Sequence, residues 1–126
     1  MNSLYRDNIL DHYKNPRNFG KMEKPDKTAE ESNPLCGDKI EIQIKYKILY
    51  TKYNILEKIT FTGEGCAISI ASASMLTEKA KGKSMEDIKK LKTDDILKML
   101  GITLTPTRLK CALLPLEVLQ KALVSQ

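Results

Sequence analysis

Residues 39–48 read KIEIQIKYKI: Ile40, Ile42, Ile44, Tyr46 and Ile48 alternate with Lys39, Glu41, Gln43, Lys45 and Lys47. A period of two places the apolar side chains on one side of an extended chain and the polar ones on the other. The stretch is therefore predicted as a strand with one buried and one wet face. Working forward, residues 53–56 and 58–62 are again rich in Ile, Thr and aromatics and read as two further strands of an antiparallel meander. Beyond Cys66 the pattern turns helical. Residues 67–81 carry Ile68, Ala71, Met75 and Leu76 among small side chains, and Gly82 ends that helix. Ser84 with Asp87 begins a short helix, and Thr93 begins another that stops at Gly101. From Pro106 to about Val124, Leu109, Leu113, Leu116, Leu119 and Leu123 mark a final helix, with Pro115 as an internal kink or a later start.

Working backward from the strand, residues 3–14 fit an amphipathic helix. Its stripe is Leu4, Ile9, Leu10 and Tyr13, Ser3 is its N-cap, and Pro16 and Gly20 close it. The polar stretch from there to about Pro34 reads as a surface arm. His12 falls near the end of the helix, far from every cysteine, and is assigned a structural or capping role. The order helix, strands, helices predicts one α+β domain over residues 1–126, with a small antiparallel sheet of about three strands and helices packed on one face.

Composition removes several classes of function. With 41% hydrophobic residues the chain can bury a core, but 6% aromatics and no Trp leave that core to Ile, Leu, Ala and Met. The charge of +5, from 21 Lys and Arg against 16 Asp and Glu, is spread along the chain. It lacks the basic stripe with interleaved aromatics that nucleic-acid binding requires. No stretch approaches the roughly 20 apolar residues that cross a bilayer, and the first residues form no signal peptide. A cytoplasmic protein is expected, and in a reducing compartment three cysteines are not disulfide staples.

Those cysteines fall where elements meet. Cys36 lies in the turn NPLCGDK before the first strand, Cys66 in the Gly-rich turn TGEGCAIS before a helix, and Cys111 in the first turns of the last helix. Turns and helix N-termini present backbone N–H groups that favour thiolates. Gly37 lets the chain turn after Cys36 and aim Asp38 at the same point, while Gly63 and Gly65 give Cys66 a flexible approach. Three thiolates and one carboxylate make a four-ligand set suited to zinc or a small iron–sulfur cluster. A divalent ion or a doubly charged 2Fe–2S core would leave that set at net minus two. Lys110 and Arg108 are the nearby cations, and Lys110 is expected to lower the thiol pKa of Cys111 or to stabilise a persulfide on it. No CxxC knuckle is present, so the ligands come from separate turns and form a site able to open.

The sequence resembles the IscU/SufU family, which includes the amino-terminal domain of NifU. The resemblance runs through LYRDNILDHYKNPRNFG, NPLCGDKIEIQI, GEGCAISIASASMLTEKAKGKS and RLKCALLPLEVLQKAL, nearly the whole chain in the family's order. It implies a non-enzymatic scaffold that accepts sulfur from a cysteine desulfurase, takes iron, builds a transient 2Fe–2S cluster and passes it to recipient apo-proteins. Cys36, Asp38, Cys66 and Cys111 match the family's ligand positions. Cys111 is the expected persulfide acceptor, and Asp38 a labile oxygen ligand that keeps the cluster transferable. Lys110 stands where the IscU branch has histidine, and LTPTRLK departs from the segment offered to an Hsp70-type chaperone, which argues against that partner. GEGCAISIASAS and the Lys-Cys pair are closer to SufU, yet the SufU insertion between the last two cysteines is missing. The alternatives are a SufU-like zinc-dependent sulfurtransferase and a zinc-stabilised interaction domain with no sulfur chemistry.

Overall fold

The alternation at residues 39–48 produces the central strand of the sheet. The computed structural model describes residues 3–49 and 53–124, with helices α1 (Ser3–Lys14), α2 (Ala67–Ala80), α3 (Met85–Lys89), α4 (Thr93–Leu100) and α5 (Pro106–Val124). Strands β1 (Lys27–Asn33), β2 (Asp38–Leu49) and β3 (Tyr53–Glu64) form one antiparallel sheet in the order β1-β2-β3. Ile40, Ile42 and Ile44 are fully buried beneath the helices, and Ile59 and Phe61 of β3 join them. Fully burying each such side chain is worth about 1.5–3 kcal/mol, which is what holds the register.

Three strands with helices on one face are what the sequence predicts, but two of the strands are not the predicted ones. The polar stretch before Pro34 is not a surface arm throughout: residues 27–33 form the edge strand β1, paired with β2 from Lys27↔Ile44 to Asn33↔Asp38. Residues 53–56 and 58–62 are halves of the single strand β3. Lys45 pairs with Lys58 and Tyr46 with Leu56, so Glu57 is an extra residue that bulges the strand where the two halves meet.

Helix α2 is buried from Ser69 to Thr77, between α1, α5 and β3. A helix enclosed on all sides needs small side chains, and its hydroxyls need partners. Ser72 donates to the Ala112 carbonyl at 2.7 Å. Pro115 sits buried inside α5 rather than at its start. Its ring removes one helical N–H and crowds the preceding turn, and the α2 hydroxyl bonds a carbonyl of that turn. Ser84 accepts from the Asp87 N–H at 3.1 Å at the head of α3, and Gly101, at φ 72°, ends α4. The Ser3 side chain, expected as an N-cap, lies outside the described residues. Among the described residues no helix is long and apolar enough to cross a membrane.

Candidate metal centre

Three turns meet at the amino-terminal end of α2. The first closes the β1–β2 hairpin. There the Cys36 N–H donates to the Asn33 carbonyl at 3.2 Å, and the Leu35 N–H donates to the Asn33 side-chain oxygen at 3.3 Å. Gly37 completes the turn at φ 70°, with open space where a Cβ would stand, so its requirement is conformational. The second turn is Gly65–Cys66. Cys66 is the N-cap residue of α2, and its N–H donates to Asp38 Oδ1 at 2.8 Å. At Gly65 the requirement is space, since a Cβ there would collide with the Asp38 carboxylate. Asp38 thus faces the amino-terminal end of α2. The third contributor is Cys111, one turn into α5, whose thiol lies 3.7 Å from the Thr107 carbonyl.

The structure groups three of the four predicted side chains and places the fourth, Cys66, beside Asp38. One donor atom each from Cys36, Asp38 and Cys111 lie within 4.8 Å of one another. The Cys66 thiol is 4.0 Å from Asp38 Oδ2 and 3.9 Å from Ser69 Oγ. Zinc–sulfur bonds of about 2.3 Å and zinc–oxygen bonds of about 2.0–2.2 Å hold ligand atoms somewhat closer than this, on the same scale as the spacing of the Cys36, Asp38 and Cys111 donors. Cys111 is 0% exposed and Asp38 1%, whereas Cys36 and Cys66 are half-buried. The centre therefore has a closed floor and a more open upper side, with the exposed Leu35 and Gly37 at its rim.

The acidity of Cys111 departs from expectation. Burial pushes its thiol pKa up strongly, and hydrogen bonding with Asp38, Cys36 and Cys66 and the charge of Cys66 push it further in the same direction. Lys110 does not figure among the groups that shift it. The lysine is exposed and borders a surface hollow with Ser32, Asn33, Pro34, Leu114 and Glu117. A helix of which only one edge faces the site carries consecutive residues in different directions, so neighbours in sequence do not share an environment. Without a bound cation the Cys111 thiol keeps its proton, and a metal must displace it.

Sequence reasoning missed the supporting residues. Ser69 donates to the Cys66 carbonyl at 3.0 Å while lying beside the Cys66 thiol, a spacing legible only once the start of α2 is fixed. His12 is remote from the centre, and its Nδ1 is 2.7 Å from Ser74 Oγ in the structural role expected of it.

Residues 4–125 match the family described as the NifU-like N terminal domain. An iron–sulfur cluster assembly scaffold protein IscU of Archaeoglobus fulgidus is 40% identical over 121 residues, covering 96% of this chain and 75% of that protein. The zinc-dependent sulfurtransferase SufU of Bacillus subtilis is 36% identical over 143 residues, covering all of this chain and 93% of that protein. That alignment is longer than this chain, so the relative carries residues with no counterpart here. The crystal structure of a SUF-system protein from Fervidobacterium islandicum superposes with a TM-score of 0.73 at 27% identity, covering 93% of this chain and 94% of the other.

Proposed function

Because the chain belongs to the family of NifU-like N terminal domains, we propose that it is a scaffold on which an iron–sulfur cluster is assembled and from which it is passed to other proteins. The observation that carries this reading is the convergence of Cys36, Asp38 and Cys111 within 4.8 Å, with the Cys66 thiol 4.0 Å from Asp38 Oδ2. The donor set fits the cargo: soft thiolates suit iron–sulfur centres and zinc, and a hard carboxylate holds such a centre less firmly than a fourth thiolate would. Iron and sulfide are substrates here, bound, built up and released.

The chain's own residues divide the work. Asp38 is held by the Cys66 N–H and so is oriented before any cargo arrives. Cys36 and Cys66, half-buried, face the more open side; Cys111 lies at the floor. Sulfur reaches the scaffold when a cysteine thiolate attacks the outer sulfur of a desulfurase persulfide. A new S–S bond forms on the scaffold, and the desulfurase cysteine leaves as a thiolate. Cys111 is the proposed acceptor, and its burial means that the turn at residues 34–37 or the start of α5 must open first. Recipient apo-proteins take the finished cluster.

A second reading is a zinc-dependent sulfurtransferase, favoured by the match of the whole chain to the Bacillus subtilis protein. Anaerobic incubation with a cysteine desulfurase, cysteine and ferrous iron separates the two. Charge-transfer bands with iron and sulfide bound in equal amounts are expected of the scaffold. Tightly held zinc, with a persulfide on one cysteine and no cluster, would establish the sulfurtransferase instead. In the same assay Cys111→Ser is expected to accept no persulfide; full loading of that variant would move the acceptor role to Cys36 or Cys66.

A further inference from the structure

We propose that Asn33 is a positioning residue for the loaded centre, its side-chain amide donating an N–H···S hydrogen bond to a ligating thiolate. The proposal rests on the scaffold reading, since it needs sulfur ligands bound to a cation. Asn33 is 9% exposed, and its Nδ2 is a buried donor without a partner. A buried donor without a partner costs free energy, and an acceptor brought within its reach relieves that cost. Its orientation is fixed, because the Leu35 N–H occupies the Oδ1 side of the amide and leaves Nδ2 on the other.

Placement identifies the acceptor. Asn33 is the cross-strand partner of Asp38, so both side chains project from the same face of the sheet, and opposed Cβ atoms stand about 4.5–5.5 Å apart. Asp38 itself lies among the cysteines. Asn33 also lines a surface hollow with Lys110 and Leu114, which flank Cys111 on α5. Asn33 thus stands opposite Asp38 in the sheet and beside the stretch of α5 that carries Cys111. A protonated thiol is a weak acceptor, whereas a metal-bound thiolate is a good one. The other unpartnered buried side-chain atom among the described residues, Thr60 Oγ1, stands opposite Gln43 on the outer side of the sheet, away from the cysteines. Glu117 borders the same hollow as Asn33 and is the competing acceptor.

Loading the full chain with cadmium-113 tests this without any variant that has to fold. Cysteine Hβ resonances coupled to the metal report the ligand set. A downfield shift of one Asn33 Nδ2 proton and a resolved coupling of that proton to cadmium report the hydrogen bond, and Asn33→Ala identifies the resonance by its disappearance. Asn33→Ala is also expected to weaken cadmium binding about tenfold, the worth of one hydrogen bond to a charged acceptor, while Glu117→Gln leaves the amide coupling in place. Cysteine couplings with an unmoved Asn33 amide would overturn the proposal and leave the scaffold reading intact. Missing cysteine couplings would overturn the scaffold reading itself, and this proposal with it.

Discussion

Two buried polar clusters touch α2, one along its side and one at its start, and they are built on opposite terms. Along the side every group has a partner. Ser74 Oγ lies 2.7 Å from His12 Nδ1 and accepts from the Arg17 N–H at 2.8 Å, while Thr77 Oγ1 donates to the Ser74 carbonyl at 2.8 Å and accepts from Asn18 at 3.1 Å. At the start, the Cys36 and Cys111 thiols crowd the Asp38 carboxylate with Cys66 beside it, burial pushes the Cys111 pKa up, and an amide lacks an acceptor. A satisfied network fixes α1 on α2 and holds nothing else. A cluster with an unpartnered donor beside thiols and a carboxylate has the composition of a binding site rather than of a structural network.

Substitutions in the two clusters should therefore separate binding from stability. The largest effect is expected from Cys36→Ser, which removes a ligand from a half-buried position. Zinc affinity should fall by more than the roughly 100-fold that losing an outer partner costs, with the urea midpoint of the metal-free protein nearly unchanged. An unchanged affinity would erase the contrast. Ser74→Ala should do the reverse. It strips partners from His12 and from the Arg17 N–H, lowering unfolding free energy by about 2 kcal/mol in a denaturant titration while leaving metal affinity as it was.

The smallest effect is a change of slope with pH. Burial, and after it the Arg17 charge, holds the folded-state pKa of His12 below the ordinary 6.5, against the raising influence of Glu78 and Asp11. As pH falls through 6.5 the unfolded chain takes up a proton that the folded chain still refuses. The stability tied to neutral His12 is thus full above that value and drains away below it, down to the folded-state pKa. His12→Gln should flatten the stability profile between about pH 7 and about pH 5. An unaltered slope would show that the ring is not held neutral by its surroundings.

Much of the scaffold could be read from the chain because burial there follows period. Ile40, Ile42 and Ile44 announce β2, and Gly82 and Gly101 mark helix ends. Strand β1 could not be read the same way. It is an edge strand with only Ala29 and Asn33 buried, and its companions are Lys, Glu, Thr and Ser. Part of what anchors it is tertiary: Lys121 of α5 reaches the Glu31 carboxylate at 2.6 Å and the Glu30 carbonyl at 3.3 Å, from the far end of the sequence. The split drawn inside β3 marks a real irregularity, the extra residue Glu57, which local composition cannot distinguish from a turn.

The candidate site divides likewise. Residue types and their positions at turns pick out four candidate donors, of which the structure groups Cys36, Asp38 and Cys111 and sets Cys66 beside Asp38. Depth itself was invisible. Cys111 beside Lys110 reads as an activated thiol, yet only the packing of α5 on α2 and the sheet reveals that one is buried and the other exposed. Asn33 shows the same limit, because an Asn-Pro turn looks complete until its amide is found enclosed with nothing to bond.

X-ray absorption at the zinc edge of the loaded protein reaches the shared centre most directly. The expected first shell is three sulfurs at about 2.3 Å and one oxygen at about 2.0–2.2 Å. A shell dominated by oxygen and nitrogen, with one sulfur or none, would mean that Cys36, Cys66 and Cys111 do not serve a common metal.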